Sequence, residues 1–169
     1  LYVYDSADRL LSETDNGVTT PYAYDNGDQL TAAGGTGYSY SANGNRTMTG
    51  YQTGADNRLA TDGTWNYSYD NEGNLVLKTN ISTNETWTYG WDDANHMVSA
   101  VHKDGLGNLI VQVTEKYDVL GNRVEEDVFT AATGQTVVQR FAWDGGNVWA
   151  DLSGSNVLQA RRVYGDGDG

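Results

Sequence analysis

Along this chain apolar and polar positions alternate with a period of two, and many of the apolar positions are aromatic. Tyr2 and Tyr4, Tyr22 and Tyr24, Tyr67 and Tyr69, Tyr89 and Trp91, and Phe141 and Trp143 are each separated by a single residue. Residues two apart in an extended chain point to the same side, so each pair lays a two-rung aromatic stripe on one face of a strand. Aspartate follows each pair directly, as Asp5, Asp25, Asp70, Asp92 and Asp144, and Tyr117-Asp118 repeats the second half of the pattern. An aspartate there can accept a hydrogen bond from the backbone two residues on, and a glycine or asparagine three residues later tolerates the left-handed conformation of a tight turn. The fullest copies close with Gly73-Asn74-Leu75 and Gly121-Asn122-Arg123-Val124, the others with Asp8-Arg9-Leu10, Asp28-Gln29-Leu30, Asn95-His96-Met97 and Gly146-Asn147-Val148. The residue that closes each unit starts a return strand. A second turn falls between units, as at Asp15-Asn16-Gly17, where Asn-Gly is the preferred type I′ dipeptide. Gly105-Leu106-Gly107-Asn108 and Thr133-Gly134-Gln135 occupy the same place later.

Two weaker copies fill the middle. Tyr38-Ser39-Tyr40 with Gly44-Asn45-Arg46 carries Ser41 at the aspartate position, and Ala55-Asp56-Asn57-Arg58-Leu59 keeps only the second half behind Gly54. With corners at 5, 25, 41, 54, 70, 92, 118 and 144, the chain reads as about eight hairpin units over residues 1–169, an excerpt of a longer protein cut at both ends. Val163-Tyr164-Gly165-Asp166 reads as the opening of a ninth. A lone hairpin is marginal in water, so each must pair with the next. The expected fold is all-β, a repetitive antiparallel hairpin strip forming a curved ribbon or partial spiral. No window carries apolar residues at helical spacing with caps, so negligible helix is expected.

Composition sharpens this picture. The 21 glycines, 12 tyrosines and 5 tryptophans, against 2 phenylalanines and 1 proline, describe turns joined by aromatic strands. A formal net charge of −13 repels phosphate backbones and anionic membranes, which argues against nucleic acid and lipid as partners. Without cysteine there is no disulfide framework, thiol nucleophile or zinc–thiolate site. No stretch approaches the roughly 18 apolar residues of a membrane-spanning helix.

Tyr24-Asp25, Tyr69-Asp70-Asn71-Glu72-Gly73-Asn74-Leu75 and Tyr117-Asp118-Val119-Leu120-Gly121-Asn122-Arg123 resemble the YD-repeat (RHS) family of bacterial polymorphic toxins, insecticidal toxin complexes and animal teneurins. The stretch Phe141-Ala142-Trp143-Asp144-Gly145-Gly146-Asn147-Val148 through Arg161-Arg162-Val163-Tyr164-Gly165 is similar to late repeats of such proteins. The resemblance implies a β-strip that spirals into a hollow, secreted or cell-surface shell. In the toxins the shell encloses a cytotoxic C-terminal domain, and in teneurins it scaffolds adhesion. Partners implied are neighbouring repeats and an encapsulated C-terminal domain of the same protein. Neither a toxin domain nor the family's self-cleaving core segment is recognisable in this stretch.

Several residues invite sharper chemistry. Asp92-Asp93 and the run Asp166-Gly167-Asp168 could be imagined as calcium ligands, but neither follows an established calcium-loop spacing, and turn chemistry explains them. His96 falls in a slot filled elsewhere by Arg9, Gln29, Asn74 and Arg123, and is expected to be a solvated strand residue, as is His102. Gly34 to Gly37 lacks the Lys-Ser/Thr of a phosphate loop. Sequons begin at Asn45, Asn66, Asn80 and Asn84, as an Asn- and Thr-rich chain produces by chance. Trp65, Trp87, Trp91, Trp143 and Trp149 could form a carbohydrate platform, which makes a glycan-binding adhesin the rival reading. The reading preferred on the residues is a structural module with no cofactor, no metal and no enzymatic activity.

Overall fold

The computed structural model describes residues 1–163. The opening of the ninth unit at Tyr164 and the acidic run Asp166–Asp168 lie outside the described residues. Among those residues there is no α-helix; sixteen strands are joined by turns and one 3-10 turn at Ala55–Asn57. The chain divides into two compact units, Leu1–Gly63 and Thr64–Gly169.

In the first unit β1 (Tyr2–Tyr4), β2 (Leu10–Asp15), β3 (Val18–Tyr24), β4 (Leu30–Ala33) and β5 (Thr36–Gly37) form one sheet in chain order. The chain then makes an isolated bridge between Tyr40 and Arg46 and a hairpin of β6 (Tyr51–Thr53) and β7 (Leu59–Asp62). The turn between β2 and β3 is the two-residue hairpin its Asn-Gly predicts. Asp15 faces Val18, and both Asn16 (φ 48°) and Gly17 (φ 81°) are left-handed.

The second unit is more regular. It comprises β8 (Trp65–Tyr69), β9 (Leu75–Asn80), β10 (Thr86–Trp91), β11 (Met97–Lys103), β12 (Leu109–Tyr117), β13 (Arg123–Thr130), β14 (Gln135–Asp144), β15 (Asn147–Ser153) and β16 (Leu158–Arg161). Every strand is antiparallel to its chain neighbours. Strands such as β12, Leu-Ile-Val-Gln-Val-Thr-Glu-Lys-Tyr, are rich in the β-branched and aromatic residues that fit a pleated, half-buried surface. Sheet alternation holds in β8, where Trp65, Tyr67 and Tyr69 are half-buried while Asn66 and Ser68 between them are exposed.

The register slips by one residue beside each corner. Tyr69 faces Leu75 but Ser68 faces Leu77, leaving Val76 unpaired; Tyr117 faces Arg123 but Lys116 faces Glu125, leaving Val124 unpaired. Such bulges bend a strand and increase its right-handed twist. Because each sheet is a single layer, the core is thin. The buried apolar residues are Ala100 and Ala150, and no large side chain among the described residues is fully buried. The strip is held by its strand ladder and by contacts from one hairpin to the next.

Candidate functional site

The corner after each aromatic pair is the recurrent polar constellation of the chain. At Asp118, one carboxylate oxygen, Oδ1, accepts the backbone N–H groups of Leu120 and Asn122, both at 2.9 Å, and Oδ2 accepts Asn122 Nδ2–H at 3.0 Å. The backbone closes the same loop: Asp118 N–H donates to Asn122 O (2.9 Å) and Gly121 N–H to Asp118 O (3.1 Å). Asp5, Asp25 and Asp92 accept the same pair of backbone N–H groups, two and four residues on, at 2.8 to 3.0 Å. At Asp70 the bond at 2.8 Å comes from Asn74 N–H, and the backbone N–H groups of Gly73 and Glu72 also favour the ionised carboxylate.

Ser41 builds a looser copy, its hydroxyl accepting Asn43 and Asn45 N–H at 3.3 and 3.2 Å. Gly54 retains only the backbone closure to Arg58 O at 2.8 Å. The Phe141-Ala142-Trp143-Asp144 copy departs from the pattern. Its return strand begins one residue sooner, Trp143 faces Val148, and Asp144 faces Asn147 across a two-residue Gly145-Gly146 turn. Asp144 therefore does not form the aspartate corner, because the loop is too short to bring a fifth residue under its carboxylate.

Two corners of the same construction lie at the other end of the strands, between one hairpin repeat and the next. Asp104 accepts Leu106 and Asn108 N–H at 2.9 Å, and Ser153 accepts Val157 N–H at 3.2 Å. They escape a search keyed to the aromatic prefix. The signal that finds them is Asp or Ser with Gly or Asn three residues on, as in Asp104…Gly107 and Ser153…Asn156.

Two inter-repeat rules link the corners within each unit. The aromatic residue just before a corner donates its polar tip to the carbonyl of the residue that starts the previous return strand. Tyr24 Oη bonds Leu10 O (3.0 Å), Tyr40 Oη bonds Leu30 O (2.9 Å), Trp91 Nε1 bonds Leu75 O (2.9 Å), Tyr117 Oη bonds Met97 O (2.9 Å) and Trp143 Nε1 bonds Arg123 O (2.8 Å). The residue four past a corner reaches sideways to the next loop. Arg9 meets Asp28 at 2.6 Å, Asn74 meets Asn95 at 2.8 Å, and Asn45 bonds Asn57.

His96 occupies this sideways slot, and the solvated reading of it needs correction. Its Nδ1 lies 3.0 Å from Asp92 Oδ2, its ring stacks on Tyr117 at 4.6 Å, and its Nε2 crowds Gly121 of the next corner. His102 is corrected likewise: it stacks on Trp87 at 4.3 Å and bonds Glu85. The sequon asparagines Asn80 and Asn84 serve the β9–β10 turn, Asn80 Oδ1 accepting Ser82 and Thr83 N–H and Asn84 supplying a left-handed residue at φ 58°.

Electrostatically, five corner aspartates, Asp5, Asp70, Asp92, Asp104 and Asp118, are acids held down. Backbone and side-chain donors from Asn122 keep Asp118 below the usual aspartate range, and those from Asn108 do the same for Asp104. At Asp5 and Asp92 the chief cause is the backbone N–H of Arg9 and of His96 respectively. At Asp70 burial is the largest influence and acts upward, but the donors from Asn74 and its neighbours outweigh it. Among the described residues no group of three or more histidines and acids stands together so as to hold a metal ion. Chemically, then, the corner accepts hydrogen bonds from its own loop.

Charges on the aromatic face escaped the reading of the sequence. Lys78 Nζ lies between Trp65 and Trp87, 4.6 and 5.5 Å from their ring centres, and Arg123 covers the Phe141 ring at 4.7 Å. Glu115, in line with Val111, Val113 and Tyr117 on β12, is buried. The alternation of β12 does mark it, since a charged residue there falls on the half-buried side.

No family model matches the sequence, and no curated protein does. Among solved structures the fold is similar to a chain of the Tc holotoxin pore of Photorhabdus luminescens, with a TM-score of 0.57 and 18% sequence identity. The likeness covers 94% of this chain and 12% of that one. It establishes a shared fold, an antiparallel β-strip.

Proposed function

We propose that the chain is a structural segment of a secreted or cell-surface YD-type shell, in which it forms part of a wall around, or a scaffold for, a further domain of the same protein. The observation that carries this reading is the pair of inter-repeat rules. Corner aspartates and aromatic tips spend their hydrogen-bonding capacity on the strip itself, hairpin by hairpin, as a load-spreading scaffold requires. The fold shared with a chain of a toxin complex supports the same reading. No enzymatic role is proposed.

The glycan-binding alternative has less support. Trp91 and Trp143 use their indole N–H groups on carbonyls, Trp65 and Trp87 flank Lys78, and Trp149, 38% exposed, has Arg161 over its ring. Electron cryomicroscopy of the full-length gene product tests the proposal. The expected image places this segment in a wall of paired strands bounding enclosed protein density; a strip projecting with both faces in solvent refutes it. A glycan array probed with the chain, where binding abolished by Trp149→Ala is the outcome to look for, tests the rival.

A further inference from the structure

Strands β12 and β13 place Glu115 and Glu126 directly opposite each other. Directly paired side chains on one sheet face sit about 5 Å apart at Cβ, a distance at which like charges repel. Water does little to screen this pair, because the Glu115 side chain is only 3% exposed. Arg123 Nη1 bridges them, 3.0 Å from Glu115 Oε1 and 3.1 Å from Glu126 Oε2. One guanidinium thus faces two carboxyl groups, and the second Glu115 oxygen, Oε2, is buried with no hydrogen-bond donor. A buried anionic oxygen without a donor is costly, whereas the same oxygen carrying a proton becomes a donor with an acceptor close by.

The charged and titratable groups facing Glu115 are few. Arg123 and Glu126 come from β13 and Tyr117 from its own strand, while His102 of β11 stands further along, opposite Val111. The residue that β14 sets opposite Glu126 is neutral Gln139.

We propose that Glu115 and Glu126 hold a single proton between them at pH values where exposed glutamates are ionised, Glu115 Oε2–H donating to the Glu126 carboxylate, so that the clasp of β12 on β13 tightens in mild acid. With Arg123 the cluster is then neutral: one cation, one anion and one acid. Burial, the largest influence on Glu115, disfavours its charge and outweighs the opposing pull of Arg123, while Glu126 adds to the upward shift. A raised folded-state value gives stability that is complete below the unfolded glutamate value, about 4.3, and that is lost as pH rises through the folded value.

Carboxyl-carbon NMR titration of the chain tests the pair directly. Glu115 is expected to titrate above the exposed glutamates; a Glu115 titration superimposable on theirs overturns the proposal. Thermal melts of Glu115→Gln add a second reading, since glutamine supplies a donor to Glu126 at every pH. This variant should melt roughly 2 to 4 °C above the parent at about pH 7.5, and the gap should be clearly smaller at about pH 4.3, the unfolded glutamate value. The same difference at both pH values overturns the proposal, and if the variant does not fold, the parent titration decides alone.

Discussion

At the scale of single residues, the corner is a carboxylate turned on its own backbone, and its substitutes rank its parts. Ser41 keeps the geometry with bonds of 3.2 and 3.3 Å where Asp118 makes bonds of 2.9 Å. Ser41→Asp is therefore expected to stabilise the chain by about 0.5 to 1 kcal/mol, charge-assisted bonds being shorter and stronger, as a urea melt would register. At Asp70 and Asp118, replacement by Asn should be milder than replacement by Ala, because Asn keeps an acceptor for the loop N–H groups. Added calcium should move none of these melting temperatures; a calcium-induced rise abolished by Asp70→Asn would make the carboxylate a ligand and refute this account. The sign of the acid response follows from the lowered values at Asp5, Asp70, Asp92, Asp104 and Asp118. Groups depressed on folding stabilise above the unfolded value, about 3.9, and lose that contribution as pH falls through the folded values. Melting temperature should thus drop steeply only in strong acid, below the range in which Glu115 takes up its proton.

Between elements, the interlock between consecutive hairpins depends on aromatic tips and close backbone approaches. Tyr117→Phe keeps the ring stacked on His96 and removes the bond to Met97 O, for an expected cost of about 0.5 to 1.5 kcal/mol by denaturant melt. Gly105→Ala should be worse although the site is a turn. A Cβ there would lie 1.8 Å from Thr83 O, backbone of the neighbouring loop, so the chain must move, at about 1 to 3 kcal/mol. Much of this level was legible in the sequence. Period-two aromatics fixed the strands, and Asp followed by Gly or Asn fixed the corners, because both are local properties of the backbone. What escaped depends on non-local pairing. Asp144 has the corner's sequence but a loop one residue short, and Asp104 has the corner without the aromatics. How deeply an aromatic is buried is likewise a non-local property. Tyr69 is only half-buried in a single-layer sheet, so Tyr69→Ala should fall short of the roughly 3 to 5 kcal/mol typical of core aromatics.

For the molecule as a whole, the second unit behaves as a linear array in which each hairpin needs only its neighbours, and the register states what one repeat can replace. Leu75 and Met97 are equivalent, each starting the return strand after its corner and each offering its carbonyl to the aromatic of the next unit, Trp91 or Tyr117. Opposite Tyr67 and Trp65 stand Lys78 and Asn80, and opposite Tyr89 and Trp87 stand Ala100 and His102. Excising residues 76–97 joins Leu75 to Val98 and keeps this register. Tyr67 and Trp65 then face Ala100 and His102 in place of Tyr89 and Trp87, and Tyr117 meets the Leu75 carbonyl in place of that of Met97. The shortened chain is expected to keep a β-sheet circular dichroism spectrum and a cooperative melt, at a lower melting temperature because one set of neighbour contacts is gone. Excising one residue more, 76–98, joins Leu75 to Ser99 and has the opposite expectation. It moves Ser99 into the place of Val98, turns every following side chain to the other face of the strand, and should abolish the cooperative melt. Equal behaviour of the two deletions would show that stability does not reside in the repeat register, and the account of the strip as interchangeable hairpins would fail.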